Sequence, residues 1–399
     1  MMTSFSKKTL AVVGAGGFVF GLAAWDFYFR VLSGVNGGDW MVYYSAVRTV
    51  LDGHPHLLYD GTGFTASLNA RFSGWLAEPY KLHPWLYPPH YLLLLWPFGF
   101  FPPFPSLVAF VFLSFAMAAA ALCALTDKWH ERVLYVLSAL LNPAAAIVVR
   151  LGQDTFLTLA LLAGGFALTK KRPLLAGALF GILTYKPQFW LMVPVALIAS
   201  RQWKTLAATV VSACFLVLAS LLAFGPGPWE DWLRLMIAPT HMFNEWQTGA
   251  RDSGMNLFAC ARLLGASAPL ANIVQLVGTA LAALAVWRCF TRPYSRELRI
   301  AVLLAATVFA APHIMNYDAV LLCVAATFFL SHNLHHRAHR GETVLAAVLW
   351  LCPLINPPSI FFVGMTTPIL IALLALRILD RSPSPRPALI NEAAGAAAT

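Results

Sequence analysis

A few polar and ionisable side chains stand out in this chain because its apolar composition does not explain them. The first is Asp39, which follows two glycines at the start of the stretch GGDWMVYYSAVRTVLDGHPHLLY (37–59). Ionisable groups in or beside membrane segments are costly to place and are functional candidates for that reason. Asp39 is therefore predicted to be the catalytic carboxylate. The candidate substrate-binding residues are Tyr43, His83, Gln153, Asp154, Lys186, His313, Asn316, Tyr317 and Asp318.

Each of these candidates also has a simpler structural interpretation. Asp39 precedes a helical pattern, where an N-cap residue belongs, and Asp154 and Asp318 stand in the same position before later helices. Lys186 could extend from the end of a span to water. His313 could be an ordinary loop histidine. At the level of sequence these alternatives stay open.

Composition predicts the scaffold that positions these residues. The chain is 59% hydrophobic and 11% charged, whereas soluble domains have about 25% charged residues. We predict an all-α polytopic membrane protein with about 12 membrane segments of about 20 residues each. Residues 1–380 are predicted to form one integral-membrane domain, and the Pro-rich residues 381–399 a disordered cytoplasmic tail.

The formal charge of +10 raises the question of nucleic acid binding, and the location of the charges argues against it. Most basic residues lie in short clusters between apolar segments, which is the positive-inside pattern of membrane proteins. The clusters are Lys7-Lys8, Lys128 with Arg132, Lys170 to Arg172, Arg201 with Lys204, Arg292 to Arg299, Arg337 with Arg340, and Arg377 to Arg386. This pattern predicts cytoplasmic termini, outer loops at 33–89 and 225–256, and candidate residues at the outer ends of spans.

The segments between the clusters predict individual elements. The first outer loop should contain amphipathic helices on the membrane surface, at 40–51 and 64–76. Residues 91–101 are too short to cross and are interrupted by proline, which indicates a re-entrant or interfacial segment. Residues 173–200 lie between two basic clusters, so we expect a broken pair of short helices that meet near Lys186 on the outer side. The predicted crossings are 9–32, 106–125, 133–149, 155–168, 206–224, 269–289, 298–311, 319–330, 344–354 and 360–379.

No metal or other cofactor is predicted. The inner loop does contain His332, His335, His336 and His339, but these alternate with arginines. A hydrated positive-inside loop explains this mixture, and metal binding is the alternative.

Five segments of the chain, in their order, resemble recurring segments of glycosyltransferase family 87, which belongs to the membrane-embedded GT-C class. They are GGDWMVYYSAVRTVLDGHPHLLYD, YPPHYLLLLWPFGFFP, GQDTFLTLALL, YKPQ and PHIMNYDAVLL. The order of the segments carries the resemblance, because none is specific alone. It implies a GT-C-type bundle in a bacterial inner membrane, with the active site on the periplasmic side.

The resemblance also implies roles for particular residues. Asp39 matches the family's acidic catalytic base in the first outer loop, His313 the histidine beside the donor phosphate, and Lys186 the lysine of the Lys-Pro pair. Asp154 stands where many relatives carry asparagine. The implied donor is a polyprenyl-phosphate sugar, with mannose suggested by the best-known relative, and the acceptor is a glycolipid or glycan in contact with membrane lipids.

Such a reaction has simple chemical requirements. Polyprenyl phosphate is a good leaving group, so the site needs a base for the acceptor hydroxyl and positive groups for the departing phosphate. We expect an inverting single displacement. A transporter or flippase for lipid-linked sugars is the main alternative and a non-catalytic glycolipid-binding scaffold the second. We find no internal repeats of the kind common in transporters, and the long first outer loop favours an enzyme.

Overall fold

The computed structural model describes residues 37–237, 256–336, 338–339, 341–351 and 360–379, with side chains of the last segment from residue 367 onward. The predicted crossing at 9–32, most of the second outer loop and the tail after 380 lie outside these residues. The described residues form α-helices and short 3₁₀ turns and contain no β-strand. This agrees with the prediction of an all-α protein.

The described helices range from 4 to 24 residues in length. In the first half they are α1 Gly38–Leu51, α2 Gly61–Arg71, α3 Tyr91–Leu95, α4 Pro103–Cys123, α5 Trp129–Leu141, α6 Pro143–Leu151, α7 Thr155–Leu168, α8 Pro173–Ile182, α9 Pro187–Trp190 and α10 Met192–Ala199. They continue as α11 Trp203–Phe224, α12 Gly227–Ile237, α13 Leu257–Leu263, α14 Ala268–Thr291, α15 Arg296–Ala310, α16 Ala319–His335, α17 Glu342–Leu351 and α18 Ile360–Leu379.

Four segments among the described residues are long and apolar enough to cross a membrane: α4, α11, α14 and Asn316–His335, which contains α16. The pair α5 and α6, bent by 58°, adds a fifth if it counts as one span. The protein is therefore a membrane protein, but the predicted count of about 12 segments is not confirmed. Several predicted crossings are short helices such as α7, with 14 residues. At 1.5 Å per residue such a helix covers roughly 21 Å of a hydrocarbon core of about 30 Å.

The long helices divide into a lipid-facing set and a central one. Only 11% of the apolar window of α11 is buried inside the protein, against 83% for Asn316–His335. The exposed side of α11 carries Val211, Phe215 and Leu222. Because these side chains are too apolar to face water, α11 lies against lipid and α16 forms the centre of the bundle.

Close helix contact holds α8 against the lipid-facing α11. A Cβ atom added at Gly177 would lie 2.4 Å from the Ala208 side chain, and one at Gly181 would lie 2.4 Å from that of Ser212. Glycines four residues apart allow two backbones to approach in this way, which is a common form of helix association in membranes.

The short predicted elements are confirmed in position, with one correction. Residues 173–200 form the expected broken pair, in which α8 and a 3₁₀ turn at Leu183–Tyr185 are separated from α9 and α10 at Lys186. Residues 91–101 form only α3 and a 3₁₀ turn. The prediction that 40–51 lies on the membrane surface is wrong, because residues 40–47 are all buried inside the protein and only Arg48, Val50 and Leu51 at the end of this range are partly exposed.

Candidate functional site

The start of α1 is tied to the end of α6 by a backbone contact. The amide of Gly37 donates a hydrogen bond to the carbonyl oxygen of Arg150 at 3.1 Å. Gly37 and Gly152 have φ angles of 81° and 69°, in the left-handed region that favours glycine. These turns place Asp39, the second residue of α1, beside Gln153, the residue after Gly152.

A cavity of about 500 Å³ opens at this point. Its polar lining comes from five separate segments of the chain and contains most of the predicted site residues: Asp39, Tyr43, His83, Gln153, Lys186, His313, Tyr317 and Asp318. Asp154 is fully buried behind Lys186, and Asn316 lies on the adjoining 3₁₀ turn without lining the cavity. Apolar and aromatic side chains form the remaining wall, among them Leu86, Leu191 and Met236.

Asp39 carries the carboxylate that reaches this cavity. Its Oδ2 accepts a hydrogen bond of 2.7 Å from Nε2 of Gln153, and its Oδ1 lies 3.8 Å from Nε2 of His83. The N-cap interpretation of Asp39 is wrong, because Gly37 occupies that position. Burial raises the pKa of Asp39 above the ordinary value, while His83 and the Gln153 hydrogen bond oppose that shift. A carboxylate with a raised pKa is a better proton acceptor than a solvated one.

Two tyrosines fix the orientation of the Gln153 amide. Tyr43 donates a hydrogen bond of 2.7 Å to Oε1 of Gln153, so Nε2 of that amide is the atom that faces Asp39. The Tyr43 hydroxyl also lies 2.8 Å from the hydroxyl of Tyr87. Tyr87 was not among the predicted residues, although it belongs to the aromatic stretch HPWLYPPH that contains His83. Together these hydrogen bonds direct the Nε2–H group of Gln153 at the carboxylate of Asp39.

His83 is held in one orientation beside Asp39. Its Nε2 lies 3.2 Å from the carbonyl oxygen of Gly38, and its ring stacks on Tyr80 with centroids 4.5 Å apart. A carbonyl oxygen only accepts, so the proton of a neutral His83 belongs on Nε2. His83 is therefore a donor beside Asp39 and does not compete with it as a base at that nitrogen.

Lys186 forms the second polar group, at the break between α8 and α9. Its ammonium nitrogen lies 2.5 Å from Oδ1 of Asp154 and 3.5 Å from Oδ1 of Asp318. The side chain of Lys186 is only 4% exposed. The alternative in which Lys186 extends to water is therefore wrong. A buried ammonium persists only when it is paired, and two carboxylates supply that pairing.

The two carboxylates are held by further bonds. Asp154 accepts a hydrogen bond of 3.1 Å from the Tyr91 hydroxyl, and Asp318 accepts one of 3.3 Å from the Thr155 hydroxyl. Neither side chain caps the helix that follows it. Asp318 instead accepts from the backbone amide of Met315, at 3.1 Å, and closes the 3₁₀ turn before α16. The capping interpretation fails for Asp154 and holds for Asp318 only at this turn.

His313 lines the cavity from the loop between α15 and α16. Burial lowers the pKa of His313 to about 4, and the nearby charge of Lys186 acts in the same direction. The imidazole is therefore uncharged at neutral pH. His313 therefore lies in the site as a neutral hydrogen-bonding group beside the Lys186 cation.

The helix α12, from the second predicted outer loop, forms one wall of the cavity. Trp232 on α12 lines the cavity, and its indole N–H donates to the carbonyl oxygen of Leu86 at 3.2 Å. Trp229, on the same helix, stacks on His90 with ring centroids 5.7 Å apart. Sequence reasoning missed α12 as a wall of the site. The abundance of tryptophan in 225–256 was the available signal.

The histidines of the inner loop are engaged in other contacts. Nδ1 of His332 lies 2.9 Å from the hydroxyl of Ser295, and the rings of His332 and His336 stack 4.0 Å apart. Nε2 of His335 lies 3.7 Å from a carboxylate oxygen of Glu131. No group of three His, Cys, Asp or Glu side chains in the described part of the chain is arranged to hold a metal ion.

The fold and the cavity define a class: an integral membrane protein with an acid-containing polar site enclosed by helices and by the segment 83–88. The chain belongs to glycosyltransferase family 87, whose model matches residues 85–315. It is therefore a membrane glycosyltransferase, and the predicted family is confirmed. Comparison with curated proteins and with solved structures gives no match.

The matched range covers only part of the site. Gln153, Lys186 and His313 lie inside it, whereas Asp39 and His83 come before residue 85. The catalytic role of Asp39 therefore depends on its position in the cavity and stays a prediction.

Proposed function

We propose that the protein transfers a sugar, with mannose as the first candidate, from a polyprenyl-phosphate donor to a hydroxyl group of a glycolipid or glycan acceptor. The reaction takes place on the outer face of a bacterial inner membrane and inverts the anomeric configuration. The observation that carries this proposal is the position of the Asp39 carboxylate. It lines a largely apolar cavity and is oriented there by its hydrogen bond from Gln153.

Asp39 acts as the general base in this mechanism. Its Oδ2 is occupied by the Gln153 amide, so Oδ1 is the oxygen that accepts the proton of the acceptor hydroxyl. The hydroxyl oxygen then attacks the anomeric carbon as the bond to the phosphate oxygen breaks. A single displacement needs no second carboxylate as nucleophile. The pairing of Asp154 and Asp318 with Lys186 agrees with this mechanism, because it leaves neither carboxylate available as a nucleophile.

Lys186 and His313 bind the departing phosphate. An ammonium group has three donors, and two of those of Lys186 point towards Asp154 and Asp318. The third is available to a phosphate oxygen, and the neutral His313 imidazole donates another hydrogen bond. In an apolar cavity such contacts are stronger than in water. They strengthen as negative charge develops on the departing phosphate oxygen in the transition state, and interactions of that kind raise kcat.

The rest of the cavity suits the polyprenyl chain. Leu86, Leu191 and Met236 provide apolar walls, and Trp232 closes the outer side. A nucleotide sugar is a poor candidate donor, because the sequence contains no glycine-rich phosphate-binding loop.

A donor panel tests this proposal directly. The purified protein, in nanodiscs that also contain membrane-lipid extract as acceptor, is offered polyprenyl-phosphate mannose, glucose, galactose and arabinose. Release of polyprenyl phosphate with one donor identifies the sugar, and proton NMR of the product gives its anomeric configuration. Retention of the donor configuration would refute the single displacement. A folded protein that binds these donors and releases no polyprenyl phosphate would instead favour the transporter alternative.

A further inference from the structure

A second cavity, of about 260 Å³, lies among α7, α8, α10, α14 and α15. Its walls are largely apolar and include Phe166, Phe180, Val193, Leu197 and Phe290. Its rim is basic and consists of Lys170, Lys171, Arg296 and Arg299. We call this space the cationic cavity. The proposed transfer reaction does not use it.

The cationic cavity lies at the opposite end of the helices that position the proposed active site. Arg296, Arg299 and Leu303 line it from the first half of α15, whereas His313 follows the end of that helix and lines the first cavity. The 15 residues of α15 cover roughly 21 Å. In the same way, Leu191 lines the first cavity and Ser200, just beyond α10, lines the second. The two cavities therefore lie at opposite ends of these helices, which the predicted topology assigns to opposite sides of the membrane.

Among the residues that the structure describes, no carboxylate lines the cationic cavity. Arg296 and Arg299 donate to the backbone carbonyls of Leu125 and Arg292, at 2.5 and 2.6 Å, and neither forms an ion pair within the described part of the chain. The same is true of Lys170 and Lys171, which are both exposed. Four cations without a compensating carboxylate create a strongly positive field at this opening.

Two further features favour an anion here. The 22-residue helix α11 begins beside the cavity, after Gln202, and has no side-chain cap. Its uncapped N-terminus adds partial positive charge and backbone donors. The Arg299 guanidinium lies 5.9 Å from the centroid of the Phe290 ring, so one face of this cation already contacts the apolar wall. An anionic group that carries apolar chains matches both surfaces.

We propose that the cationic cavity binds the phosphate headgroup of an anionic phospholipid from the membrane leaflet opposite the active site. At 260 Å³ it is smaller than the cavities of about 300–1,000 Å³ that enclose drug-sized ligands. It accommodates a headgroup, and the acyl chains stay in the bilayer beside the lipid-facing α11. Basic openings between membrane helices on the cytoplasmic side suit such headgroups. This inference goes beyond the transferase activity and does not depend on it.

Native mass spectrometry of the full-length protein in detergent tests this proposal. The probes are phosphatidylglycerol and phosphatidylcholine with identical acyl chains, together with glycerol 3-phosphate as a water-soluble phosphate. We expect tighter binding of phosphatidylglycerol than of phosphatidylcholine. The double variant Lys170→Gln with Lys171→Gln should bind phosphatidylglycerol about thirtyfold more weakly, since each lysine near an anionic lipid contributes roughly fivefold. Both lysines are exposed, so the variant should fold normally.

The matched control is Lys128→Gln with Arg132→Gln, which removes the same charge from another basic cluster that does not line the cavity. Ser200→Glu is a second variant, and its added carboxylate should weaken phosphatidylglycerol binding alone. Equal binding of the two lipids by the wild type would overturn the proposal. An equal loss of phosphatidylglycerol binding in the control double variant would also overturn the proposal. Complete displacement of the lipid by equimolar glycerol 3-phosphate would overturn it as well, because the cavity would then be a site for free phosphate.

Discussion

Replacement of Asp39 by asparagine tests the proposed base and leaves the shape of the site intact. An asparagine side-chain oxygen can still accept the Gln153 hydrogen bond, which is 2.7 Å long in the wild type. What is lost is the proton acceptor. General base catalysis contributes about 10²–10⁴ in rate. Asp154 and Asp318 are both paired with Lys186, so neither of these two carboxylates is free to replace it. We therefore expect kcat to fall about 10³-fold, or roughly 4 kcal/mol in the barrier.

Stability should change in the opposite sense to activity. The folded-state pKa of Asp39 is raised by burial. A raised carboxyl pKa means that the folded protein holds the proton more tightly than the unfolded chain. The resulting stabilisation is present at low pH and is lost as the pH rises through the folded pKa. At neutral pH the ionised Asp39 is thus a cost to the fold, and Asp39→Asn should melt at the same temperature as the wild type or higher.

The assay measures initial rates of polyprenyl phosphate release in nanodiscs, with donor affinity measured separately by calorimetry. Asp60→Asn is the matched control, because Asp60 lies in the same outer loop and caps α2, where asparagine caps equally well. The control should retain full activity. If Asp39→Asn folds, binds donor and turns over within about threefold of the wild type, Asp39 is not the base.

Three further outcomes are expected. Lys186→Met leaves two carboxylates buried without their cation and should destabilise the protein by about 3–5 kcal/mol. Adding Asp154→Asn to this variant should recover part of the loss in melting temperature. If nothing is recovered, Lys186 and Asp154 are not paired as described. The pH profile of kcat should decline on the acid side as the pH falls through the raised pKa of Asp39, with a midpoint above that of an ordinary aspartate. His313, whose pKa is lowered to about 4, should stay neutral around pH 7, and an imidazole that titrates near neutral pH by NMR would contradict this. Gly152→Ala should lower the melting temperature, because the φ of 69° disfavours alanine and a Cβ there would lie 2.5 Å from a methyl group of Leu107. An unchanged melting temperature would mean that this turn does not anchor the site.

Sequence patterns predicted the position of many elements but not their environment. The break at Lys186-Pro187 was predictable, because proline interrupts the helical hydrogen bonds and a lysine there needs a polar partner. The burial of α1 was not, since aromatic residues such as Trp40 and Tyr43 occur both on lipid-facing surfaces and in a protein core. The crossing count failed for a related reason. Apolar segments of 10–17 residues satisfy hydropathy whether they cross a membrane or pack inside the bundle.

The candidate site shows the same division. Asp39, Lys186 and His313 could be nominated because ionisable groups are rare in so apolar a chain. Tyr87 and Trp232 were harder to select, because aromatic residues are common here and an aromatic-rich segment does not show which of its members line the site. Only their contacts with Tyr43 and Leu86 distinguish them.

By itself, the sequence determined that this is a helical membrane protein of glycosyltransferase family 87, because composition, charge distribution and the order of short segments are properties of the linear chain. The tertiary structure decided which polar groups meet. It separated Asp39, hydrogen-bonded to Gln153 at the cavity, from Asp154, which is buried against Lys186. These two aspartates look equivalent in the sequence. Their chemical difference comes from burial and from partners more than 30 residues away along the chain, and such contacts exist only after the helices have packed.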